Sequence, residues 1–203
     1  LNYVRSNPVV IVTLLSTIVN GLLGRSFIEL LPAVSGLLLM GGASELAWLT
    51  AAAGTGAVLG GLLMSRQAAH VMGLYRLILV ALLGATLLLA TLNWLDALIS
   101  LAVVVGLITF TTTIAGTGCQ ALTQLLIDPN YHGRVMSLWS MTMMASPALG
   151  AATNGALAEF AGFVTTFAVA SALGVLAVLA LYAGRRVVSD FAPEAIATTS
   201  DSR

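Results

Sequence analysis

Apolar residues run along this chain in six long, nearly continuous stretches separated by short polar connections. None of them alternates with the period of two that a lipid-facing strand would show, which excludes a membrane barrel. Each is close to the roughly 20 residues that a helix needs to cross the hydrocarbon of a bilayer. The pattern predicts spans over Pro8 to Leu31, Glu45 to Met64, Val71 to Leu92, Leu95 to Leu126, Gly133 to Ala158 and Val164 to Ala183. Pro8 suits a first helical turn, where its missing N–H would have no partner anyway. Ser44 followed by Glu45 offers an N-cap and an acidic first turn. The chain therefore reads as an all-α, six-helix membrane domain over residues 8–186, with a short lead-in over 1–7 and a polar, disordered tail over 187–203.

Polar residues are not shared evenly among the spans. The third and sixth are apolar on every face and suit lipid. The first carries Thr13, Ser16, Thr17, Asn20, Arg25 and Glu29, and the fourth carries Thr109, Thr111, Thr112, Thr113, Thr117, Gln120, Thr123 and Gln124. Thr109, Thr113, Thr117, Gln120 and Gln124 recur every three or four residues, so they share one helix face and form a polar stripe about 22 Å long. Two readings are open: hydrogen bonding between helices, which membrane threonines often do, or the lining of a polar cavity. Arg25 and Glu29 stand at i and i+4 on one face and can neutralise each other. A charge inside a span costs about 2.5 to 3.5 kcal/mol on insertion scales, which makes this pair a candidate for substrate passage or proton coupling, with Asn20 and the stripe. A plain ion pair snorkelling to the headgroups is the alternative. Gly56 and Gly60 form a small-xxx-small pair for close helix packing. Pro147, with Gly150 and Gly155, predicts a kink in the fifth span, as a transporter site or as ordinary structure.

Composition agrees with membrane embedding. Charged residues make up 8% and apolar residues 59% of the chain, where a soluble domain carries about 25% charged. Mean hydropathy is +1.01. Net charge is zero, and the eight basic residues are all arginine, with no basic stripe for a nucleic acid. Arg5, Arg66, Arg76, Arg134, Arg185 and Arg186 fall on one side of the predicted spans, while Glu45, Asp96 and Glu159 fall on the other. The positive-inside rule then places both chain ends in the cytoplasm. Trp48, Trp94 and Tyr182 sit near span ends, as interfacial aromatics do. Cys119 reads as a small core residue. The chain opens at Leu1 in place of methionine and reads as a truncated frame.

Three segments bear a family resemblance. Asp128-Pro-Asn-Tyr-His-Gly133-Arg134-Val-Met-Ser137 is similar to the Arg-Gly-Arg-Val-Met-Ser signature of one group of major facilitator superfamily exporters, with His132 in place of its first arginine. Arg25-Ser-Phe-Ile-Glu29-Leu-Leu-Pro32 resembles the charged end of that family's seventh helix, and Gly61 to Arg66 a reduced copy of its cytoplasmic gating motif. The resemblance covers about Asn7 to Arg186 and is closest to enterobactin and macrolide exporters of the bacterial inner membrane. It implies the C-terminal six-helix half of a transporter that exchanges protons for a small amphipathic substrate around a midplane site. It also implies gating or docking roles for Gly61, Arg66, Asp128, Gly133 and Arg134, and a partner in an N-terminal six-helix half. No cofactor or metal is implied. The chain has no lysine and so no Walker A loop, which leaves no direct use of ATP within it.

Six helices also suit an intramembrane serine protease, and Val34-Ser35-Gly36 and Ala69-His70-Val71 look like fragments of its nucleophile and base segments. The topology separates Ser35 from His70 by a full bilayer, far beyond the roughly 3 Å needed for proton transfer. A membrane scaffold without transport activity is the remaining alternative.

Overall fold

The computed structural model describes residues 7–38, 42–66, 71–95, 97–127, 129–186 and 188. Arg5, His70, Asp96, Asp128 and nearly all of the lead-in and tail lie outside the described residues. The described residues are almost wholly helical. In chain order they form α1 (Pro8–Val19), a π-helical segment (Asn20–Arg25), α2 (Ser26–Glu29), α3 (Leu31–Leu38), α4 (Ala43–Ser65), α5 (Val71–Thr91), α6 (Leu98–Leu126) and α7 (His132–Ala183). Short 3-10 turns, Leu92–Trp94 and Pro129–Tyr131, follow α5 and precede α7.

Local chemistry explains most of the boundaries. Asn7 caps α1 by accepting from the N–H groups of Val9 and Val10 at 3.2 and 3.4 Å, and Pro8 fills the first turn. The first span ends differently from the expected limit at Leu31: the α-helical backbone lapses at Leu30 (φ −90°, ψ −2°) and resumes as α3. Pro32 has no N–H to give the Ile28 carbonyl, so the ladder breaks just before it. α4 begins two residues earlier than the Ser44 cap would allow. Gly42 is the cap residue, and its N–H donates to Glu45 Oε2 at 2.7 Å while Ser44 Oγ donates to the same oxygen at 2.8 Å.

The fifth and sixth spans are one run of 52 residues, interrupted at Gly162 with φ 81° and ψ 160°. A straight helix of that length would measure about 78 Å, far more than a bilayer. It folds back instead. Before the break, Ser146 lies over Gly21 and Gly155 beside Leu30, so this limb runs parallel to the first span. Beyond it, Gly174 lies near Leu23 and Gly184 near Val12, so the second limb returns antiparallel. Backbone with a positive φ and an extended ψ of this kind is essentially restricted to glycine. Pro147 keeps helical dihedrals, and the reversal falls at Gly162, inside the connection that the apolar pattern leaves between Ala158 and Val164.

Six crossings result, in alternating directions. α4 and α6 run parallel in the closest contact of the bundle: a Cβ on Gly56 would overlap the Gly106 carbonyl oxygen, and one on Gly60 would approach the Phe110 carbonyl oxygen to 2.7 Å. α5 is tied to the returning limb of α7 at two levels, by Ser171 Oγ donating to Thr86 O at 2.8 Å and Tyr75 Oη donating to Leu181 O at 2.7 Å. The core comprises a cluster around Tyr75, Ile78, Leu82 and Leu122 at one end, another around Phe27, Leu49, Leu89 and Leu101 at the other, and a smaller one around Val10, Leu14 and Trp139. Large apolar side chains are exposed around the bundle, Phe160 at 89%, Ile99 at 80% and Val80 at 67%, the surface expected of a protein whose solvent is lipid. The apolar pattern predicts that the third and sixth spans are the peripheral ones, yet α4 is the least enclosed. Only Leu49, Ala53, Gly56 and Gly60 of its 23 residues are buried, against nine of the 21 in α5.

Candidate functional site

The first span changes winding at its centre. In the π-helical segment the N–H of Ser26 donates to Gly21 O, five residues back, so the turn holds one residue more than an α-helix and loosens the usual carbonyl ladder. Leu22 O takes up other donors, Ser26 Oγ at 2.6 Å and Asn154 Nδ2 at 3.4 Å, and Asn154 also donates to Ser26 Oγ at 3.1 Å. Glycines let the neighbours come close enough for this. Gly21 lies under Ser146 and Pro147, Gly24 under Thr112, and Gly150 over Leu22 O.

Asn20 opens this segment. It lies about 18 Å along the helix from Pro8, near the middle of a hydrocarbon core about 30 Å thick, and is 1% exposed. Its Nδ2 donates to Thr112 O at 3.2 Å. Its Oδ1 is buried and has no partner. A Cβ added to Gly116 would lie 3.2 Å from Asn20 Nδ2 and 3.2 Å from the terminal methyl of Met143, so the first span, α6 and α7 meet around this amide. A buried carbonyl oxygen without a donor costs about 1 to 3 kcal/mol. An amide does not titrate in the accessible range, so Asn20 can bind or orient but cannot relay a proton.

The polar stripe of α6 divides in two. Thr109 is buried and Thr113 half-buried against the glycine face of α4. Thr117 and Gln124 are exposed and Gln120 half-buried. The hydroxyls of Thr109, Thr112, Thr117 and Thr123 each donate to a carbonyl of their own helix, and those of Thr13 and Thr17 do the same in α1. The link between the first span and α6 is instead the Asn20 amide, which packs with Thr112 and Gly116 on a face neighbouring the stripe. Asn154 is a site residue that the sequence pattern does not single out, although a lone asparagine in an otherwise apolar span is the available signal.

Arg25 and Glu29 are both exposed and, among the described residues, form no ion pair with each other, contrary to the pairing their spacing suggests. The helix lapses at Leu30, just past Glu29, so the regular i, i+4 geometry is not continued there. Arg66 and Arg134 are exposed near the ends of α4 and α7, and Gly61 and Gly133 face open space. Asp128 lies outside the described residues. Ser35 is buried in α3, beside the Val34 of the cluster that holds Leu89 and Leu92, whereas Val71, next to His70 in the chain, starts α5 at the opposite end.

A family model described as Major Facilitator Superfamily matches residues 9–199 of the chain. No curated protein and no solved structure matches it.

Proposed function

Because the chain belongs to the Major Facilitator Superfamily, a family of multi-pass membrane transporters, we propose that it forms the C-terminal six-helix half of a proton-coupled exporter of small amphipathic molecules. The observation that supports this reading best is the buried, unpartnered Oδ1 of Asn20 at mid-depth, where three spans converge. In alternating access two halves rock around such a midplane site. Asn20 would hold a hydroxyl or ammonium donor of the substrate, apolar walls would take its hydrocarbon part, and Thr117, Gln120 and Gln124 would line the path toward the arginine-bearing end. An N-terminal six-helix half would supply the opposite wall. Gly61, Arg66, Asp128, Gly133 and Arg134 would act in gating or docking between halves. Glu29, the single carboxylate of the first span, is the proposed proton-coupling group. The proposed setting is a bacterial inner membrane, with both ends of the chain cytoplasmic.

The test uses the full-length protein in proteoliposomes with an imposed pH gradient, following a fluorescent amphipathic cation. Gradient-dependent flux that becomes independent of pH in Glu29→Gln would support proton coupling through Glu29. Flux that keeps its pH response in Glu29→Gln would remove that role, and no flux of any amphipathic probe would favour a membrane scaffold.

A further inference from the structure

A groove of about 820 Å³ lies between α5 and the returning limb of α7, and Asn20 does not line it. Arg76 borders it from α5, and Arg185 and Arg186 border it from beyond α7. These are three of the chain's eight basic residues, brought together from positions more than 100 residues apart. Below the arginines the walls are apolar, with Leu79, Leu83 and Leu179 among them. Arg185 stacks over the ring of Tyr182 at 4.1 Å, which holds the guanidinium at the mouth of the groove through a cation–π contact. Tyr75 fixes the two walls to each other through its bond to Leu181 O.

Below Arg76 the apolar wall runs to Leu83, about 10 Å at helical rise, which fits within a leaflet hydrocarbon depth of roughly 15 Å. Ordinary positive-inside anchoring places arginines anywhere in the connections on one side. Here the cations converge on the head of an acyl-sized apolar groove, an arrangement suited to a phosphate diester above and a hydrocarbon chain below. We propose that this groove is a binding site for an anionic diacyl phospholipid, with its phosphate among Arg76, Arg185 and Arg186 and one acyl chain along α5. The site requires only that the chain sit in a bilayer and is independent of the transported substrate.

Delipidated full-length protein in detergent, titrated with dioleoyl phosphatidylglycerol and dioleoyl phosphatidylcholine under native mass spectrometry, tests it. The phosphatidylglycerol adduct is expected to be favoured. Replacing each of the three arginines singly by glutamine should weaken it about fivefold, and replacing all three about a hundredfold, with the phosphatidylcholine adduct unchanged. Arg66→Gln with Arg134→Gln, which removes two cations outside the groove, should leave the preference intact. Equal binding of the two lipids, or an equal loss on removing Arg66 and Arg134, would overturn the proposal. If the triple variant does not fold, the single variants decide the same question.

Discussion

Asn20 and Thr112, 92 residues apart in the chain, are joined at mid-membrane by one hydrogen bond from the amide Nδ2 to the threonine carbonyl. That bond uses one of the two N–H donors of the amide, while its Oδ1 is buried without a partner. Bonds of this kind between membrane helices average about 0.6 kcal/mol, so the link is a weak clamp with a free acceptor.

Asn20→Ala should therefore lower the melting temperature of the detergent-solubilised protein only slightly. Transport of the amphipathic probe should fall at least tenfold, a factor of ten corresponding to about 1.4 kcal/mol of lost substrate interaction. Wild-type flux in a folded Asn20→Ala protein would show that the free oxygen does not serve the substrate.

Gly56 and Gly61 make opposite predictions despite lying on the same helix. A methyl at Gly56 meets the Gly106 backbone, which cannot rotate away, whereas one at Gly61 meets nothing within 4 Å. Gly56→Ala should destabilise the protein by about 1 to 3 kcal/mol, and Gly61→Ala should be neutral or slightly stabilising. Thermal unfolding of the two variants side by side decides the matter; equal stabilities would mean that α4 and α6 are not packed through this glycine face.

Gly162 is a backbone prediction. Its surroundings are open, so a side chain would find room, but its φ of 81° excludes one. Gly162→Ala should cost about 1 to 3 kcal/mol, while Gly133→Ala, also in open space, should not. Unfolding in graded detergent mixtures measures both. A Gly162→Ala protein as stable as wild type would mean that the chain reverses elsewhere.

For Arg25 and Glu29, a double-mutant cycle to alanine should return a coupling of zero within about 0.5 kcal/mol, because the two exposed side chains form no ion pair. A coupling beyond about 1 kcal/mol would show that they meet in the membrane.

The solvent of this protein, the number of its crossings and their near limits are legible in the linear order of residues. They follow from length and apolarity, since a run of about 20 apolar residues in lipid has only the helix to satisfy its backbone. Gly56 and Gly60 are legible as a packing face for a related reason, small residues at helical spacing being the usual means of close approach in lipid. Periodicity also finds the Thr109 to Gln124 stripe, but cannot say that Thr109 and Thr113 lie against glycines while Thr117 and Gln124 stay open. Which face of one helix meets which face of another depends on contacts far apart in the chain.

Packing settles the rest. The winding change at Asn20 to Arg25 is accommodated because Asn154 and Ser26 supply donors to Leu22 O. The i, i+4 rule places Arg25 and Glu29 on one face, yet among the described residues the two form no ion pair. Proline suggests a kink at Pro147, yet its dihedrals stay helical. Arg76 and Arg185 read as separate anchoring charges until α5 and the end of α7 bring them to one groove. A linear pattern records what each helix can bury, and the contacts among six helices settle what each one does bury.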